Sequence, residues 1–155
     1  INTVEPVDPE VSYSFVNRLS YVTEVLIARK FNPKFSLQIT PTLVHKNLVT
    51  RKIDPNYIFA LGSGARMKLT QRVTLNAEYF HIITGQTAED YHPSLSFGFD
   101  IETGGHVFQL HITNSRSMVD RGFITETSGN WMDGDIHFGF NIARVFGLGN
   151  RSGNK

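Results

Sequence analysis

Six histidines, His45, His81, His92, His106, His111 and His137, are the residues of this chain best suited to hold a metal or move a proton. None falls in the HxxxH or HExxH spacing that puts two imidazoles on one helix face, and cysteine is absent. Thiolate zinc sites, cysteine nucleophiles and disulfide scaffolds are therefore excluded. Carboxylates offer a second chemistry. Asp100 and Glu102 stand at i and i+2, with Glu78 upstream, and paired carboxylates do acid–base work or bind calcium. Arg66 and Lys68 supply the charges that would balance them instead. Ser63 in Gly62-Ser63-Gly64 lacks the GxSxG turn of a serine nucleophile, so those glycines read as relief of crowding in a strand. Asn130-Trp131 is either a carbohydrate or protein contact or a loop packing itself down. The glycine-rich tail from Gly147 has no Walker pattern. The expectation is no catalytic residue, no metal and no cofactor.

The elements that carry these groups are strands. Ile136, Phe138, Phe140 and Ile142 alternate with His137, Gly139, Asn141 and Ala143, and Leu95, Phe97, Phe99 and Ile101 alternate with Ser96, Gly98, Asp100 and Glu102. Phe108, Leu110 and Ile112 do the same against Gln109, His111 and Thr113. Residues 18–31, 35–46, 56–69 and 73–83 follow the same period less cleanly, which makes seven strands of about 10–14 residues. A tilted membrane-crossing strand needs about 9–11 residues, whereas soluble strands average nearer 5–6. Asn32-Pro33-Lys34, Thr70-Gln71-Arg72 and Gly104-Gly105 are tight turns. They alternate with long links at 47–55, 84–93 and 116–133. That order suits an antiparallel up-and-down barrel, with tight turns on the periplasmic side and long loops outside.

Side chains on a strand point to opposite faces in turn, so each segment has an apolar and a polar face. The polar face carries Glu24, Arg66, Lys68, Glu78, Asp100, Glu102, His111 and His137. In a dry core an isolated charge would cost several kcal/mol; in a wet lumen these groups pair or stay solvated. They are the expected lumen lining, with the phenylalanine-rich face toward lipid. His111 and His137 fall on adjacent strands and face the same way, as members of a hydrogen-bonded lumen network rather than a shared metal site. Tyr21, Phe31, Phe35, Tyr57, Tyr79 and Phe146 are candidates for the aromatic girdles of a barrel, or for ordinary cross-strand packing. The rival architecture is a soluble sandwich or barrel with the rings inside.

At 155 residues the chain fits one domain. A formal charge of +1 lacks the basic footprint of a nucleic-acid binder. No run approaches the roughly 18 apolar residues of a membrane helix, a test that leaves membrane β-barrels standing. The segment Gly139 to Phe146, alternating and ending on an aromatic, resembles the C-terminal strand by which outer-membrane barrels are recognised for insertion, although the tail Gly147 to Lys155 follows it.

Longer stretches carry a family resemblance. Leu26 to Phe31, Pro41 to Val49, Asp100 to Leu110, Thr113 to Arg116, Phe123 to Thr127 and Gly134 to Asn141 resemble a family of β-barrel proteins from Bacteroidetes-type bacteria that bears a domain-of-unknown-function label. The likeness runs from about residue 18 to residue 146. It implies the C-terminal part of an outer-membrane barrel and brings no established activity, so no functional residue is carried over. Residues 1–17 are then expected to be an outer loop after a further upstream strand, 18–146 the barrel strands and 147–155 a polar tail. The expected function is a passive pore or a structural envelope subunit, not an enzyme, with outer-membrane lipid and an envelope-complex protein as partners. One alternative is a sheath around a partner such as an electron carrier, and another is a soluble β-barrel or sandwich binding protein. A barrel-borne lipid hydrolase would need a Ser–His pair near the outer rim.

Overall fold

The computed structural model describes residues 2–3, 15–49, 54–85 and 91–144. All the strands belong to one antiparallel sheet in up-and-down order. A stub, β1 (Asn2–Thr3), pairs with β2 (Leu19–Glu24); β3 (Ile27–Asn32), β4 (Phe35–Lys46), β5 (Tyr57–Lys68), β6 (Val73–Thr84), β7 (Ser94–Thr103), β8 (His106–Thr113) and β9 (His137–Arg144) follow. Both β2 and β3 pair with β4, and from β4 onward each strand pairs with the next in sequence. The sheet curves into a half-barrel whose concave side gathers the polar faces of β3 to β9. Twelve residues in each of β4, β5 and β6 measure roughly 40 Å at about 3.3 Å per residue. A barrel-like tilt reduces that to about 30 Å, the thickness of a bilayer's hydrocarbon core.

Three expectations need correction. The segment 18–31 is two strands, not one, although the register passes through unbroken: Glu24 faces Thr42 and Ile27 faces Ile39. The gap lies opposite Pro41. Val25 donates its amide to the Pro41 carbonyl at 3.0 Å, but proline has no N–H to return the bond. Secondly, β8 and β9 have eight residues each, shorter than expected. Thirdly, the link 116–133 is no simple polar loop. It holds a short helix, α1 (Asp120–Thr125), and a 3-10 turn at Trp131–Asp133. Of the expected regions, the tail 147–155 and Phe146 lie outside the described residues, as does most of 1–17.

The apolar face looks away from the concavity and is open. Phe138 is 84% exposed and Phe140 68%. Ile39, Phe59, Phe99, Leu110 and Ile142 are exposed on the same side. A soluble sandwich would bury this face; here the enclosed core is small. At the long-link end Ala60 and Phe80 cluster with Ile124 and Phe123 of α1, and Leu19, Val44 and Ile58 are buried as well.

Candidate functional site

The sheet's register builds the concave face row by row. One row runs Gln38, Gly64, Glu78, Ser96, Thr113, His137, and the next runs Ser36, Arg66, Asn76, Gly98, His111, Gly139. A third carries Lys68, Thr74, Asp100, Gln109 and Asn141. Together with the start of α1 these rows enclose an open cavity of about 750 Å³.

Four of its polar side chains are linked to one another. Asn141 donates from Nδ2 to Gln109 Oε1 at 3.0 Å, and Gln109 donates from Nε2 to Asp100 Oδ1 at 3.2 Å. Arg66 Nη2 approaches Asp100 Oδ2 at 3.8 Å, with Asp100 nearly buried and Arg66 reaching toward solvent. Such a half-exposed pair at long range is weak in energy and acts mainly to neutralise the wall. Glu78 and Asp120 of α1 both line the cavity, so two carboxylates share its wall.

The expected lumen residues thus divide. Arg66, Glu78, Asp100 and His111 line the cavity. Glu24 stands on the same side near α1, and His137 at the start of β9. Lys68 and Glu102 are exposed at the short-turn end and belong to the rim. His111 and His137 lie one register step apart, since His111 faces Gly139 and His137 faces Thr113. The His111 ring covers Gly139 so closely that a Cβ built there would collide with it. Among the described residues no three histidine or acidic side chains gather as a metal site.

The long-link end is filled by a device that the polar face alone did not reveal. Phe123 meets Phe80 edge-on at 6.0 Å, and Gly62 leaves the space that the Phe80 ring occupies. Lys46 is 4% exposed, and its ammonium bonds Glu126 Oε1 at 2.7 Å. Arg121 donates to the same oxygen at 2.8 Å. A carboxylate held by two cations in a partly enclosed site replaces the water each charge gave up. Buried Asn114 ties the link to β7: its Oδ1 accepts from the Leu95 amide, and its Nδ2 donates to the carbonyls of Pro93 and Gly129. Asn130 caps the 3-10 turn, and Trp131 lies edge-on to Phe97 at 5.8 Å. Asn130 thus orders its own loop, whereas Trp131 packs on strand β7. The signal for this plug was present in the sequence. Val44, Ile58, Phe80 and Ile82 occupy positions of the polar face yet are apolar, all near the long-link end.

Aromatic rings mark both ends of the outer face. Tyr21, His45 and Tyr57 are cross-strand neighbours, with centroids 6.3 and 4.5 Å apart. At the short turns, Phe31 and Phe35 are 6.0 Å apart and the Arg29 guanidinium sits over Phe31. A sheet of this strand length, apolar outside, polar within and carrying aromatic clusters at both ends, has the features of a membrane β-barrel domain. Among the described residues no helix is long and apolar enough to cross a bilayer. The chain belongs to the family described as "membrane bound beta barrel domain (DUF5777)", whose model matches residues 1–146. No curated protein and no solved structure matches it.

Proposed function

We propose that this domain lies in the outer membrane of a Gram-negative, Bacteroidetes-type bacterium and passes small hydrophilic solutes without covalent chemistry, its bore restricted by the β8–β9 link. The observation that carries the reading is the division of faces: Leu110 and Phe140 are exposed outside, whereas neighbouring Gln109 and Asn141 bond each other within. The Arg66–Asp100 pair cancels charge on the wall, which favours weak selectivity over strong anion or cation preference. Planar-bilayer recording tests it. Small conductance steps are expected for the native chain and larger, noisier ones for Phe123→Ala/Ile124→Ala, which loosens α1. Silent bilayers from both, with a heat-modifiable gel shift showing a folded barrel, would overturn the pore.

A second reading, a structural subunit or sheath around an envelope partner, draws support from the packing of α1 on the concave face, where Ile124 and Phe123 meet Ala60 and Phe80. It predicts a second chain that co-purifies in mild detergent, and a native barrel that stays silent.

A further inference from the structure

The concave wall is polarised along its strands, a property that a bore of weak ionic preference leaves unused. Glu24 stands in the row of Thr42 and Ala60, and Glu78 in the row of Gln38 and Gly64. Asp120, the first residue of α1, lines the cavity together with Glu78. The next row toward the short turns carries Lys30, Ser36 and Arg66, and the one beyond it Lys68 and Asp100. Carboxylates thus lead on the α1 side and cations on the short-turn side, with Asp100 set among the cations. The change of sign is abrupt: the step from the Gly64 row to Arg66 is two residues, roughly 6.6 Å at about 3.3 Å per residue.

Glu78, Asp120 and Arg66 line one cavity of about 750 Å³, a size at which pockets take small molecules. Among the described residues neither Glu78 nor Asp120 has a hydrogen-bond or ion-pair partner. Arg66 has only its 3.8 Å approach to Asp100, and its side chain is 58% exposed, so most of the five N–H groups of the guanidinium are open to a solute. Each simple class of solute leaves part of this wall unmatched. An anion held by Arg66 would lie against two carboxylates. A cation held by Glu78 and Asp120 would meet Arg66 next. An uncharged solute would displace water from both signs without replacing it. We infer that the cavity is a subsite for zwitterionic solutes of amino-acid to dipeptide size, with the ammonium toward Glu78 and Asp120 and the carboxylate on Arg66. Gln38, Asn76 and Ser96 on the same wall supply donors and acceptors for an amide between the two charges.

This subsite rests on the bore being open to solutes, and liposome swelling separates the two. The full chain, folded into phosphatidylcholine liposomes, is given glycylglycine or the slightly smaller, uncharged N-acetylglycinamide. Neither solute has a net charge, so no diffusion potential intervenes. The native chain should admit glycylglycine several-fold faster, because opposite fixed charges draw in and align a dipolar ion. Arg66→Gln and Glu78→Gln/Asp120→Asn should each bring the two rates together by slowing glycylglycine, and Arg66→Lys should keep most of the preference. Arg72→Gln, in the β5–β6 turn, should leave it unchanged. Equal rates in the native chain, or a preference that survives in both neutralised variants, overturns the subsite. So does a neutralised variant that speeds both solutes alike, since the charges would then only obstruct the bore. No swelling with either solute, from a chain whose heat-modifiable gel shift shows a folded barrel, removes the pore reading with it.

Discussion

Single side chains set the tolerances of the concave wall. His111 lies over Gly139, so Gly139→Val forces either the ring or the strand to move. The colliding atoms are the far end of a half-buried ring beside an open cavity, so the ring can swing aside and urea unfolding in micelles should show a loss at or below about 1 kcal/mol. Truncating the ring as well, in His111→Ala/Gly139→Val, should recover most of it. The Lys46–Glu126–Arg121 cluster makes a sharper case. Glu126→Gln leaves the Lys46 ammonium buried without its counter-charge, and breaking a buried pair costs about 3–5 kcal/mol. Glu126 itself is partly exposed, which favours the lower end. The loss should appear first as faster proteolysis within 114–136 while the strands remain protected. None of these partners was legible beforehand. Alternation gives the face of a strand residue, but a contact between Lys46 and a link 80 residues away depends on how that link folds.

Strands were the most legible elements, because a period of two survives in any sheet whose faces meet different media. Where it failed, the cause is identifiable. One apolar segment became β2 and β3 because of Pro41, a residue on the neighbouring strand, so no reading of 18–31 alone could have divided it. Pro41→Thr restores the missing donor and should join the two strands. Hydrogen exchange at the backbone amide gained by this substitution checks it, with a gain of about 0.5–1.5 kcal/mol if the bond forms without strain. The 116–133 link escaped because α1 has six residues, too few for a helical period to stand out from its polar flanks.

For the whole molecule, the decisive property is which surface meets lipid. Leu110→Arg and Gln109→Arg place the same charge on neighbouring positions of β8 that face opposite ways. The first should cost about 2–4 kcal/mol in vesicle-folding titrations if it lies near the bilayer midplane, and the second should cost little. Equal penalties would contradict the assignment of faces. The position of α1 also has a bearing on the order of assembly. Its anchors, Ala60 and Phe80, are made early in the chain, but the segment that covers them is strung between β8 and β9. A nascent sheet therefore displays an oily patch on its concave side until β8 and β9 arrive. Sealing that patch and adding β9 are one event, so a chain stalled before β9 would present a raw edge and a sticky interior at once.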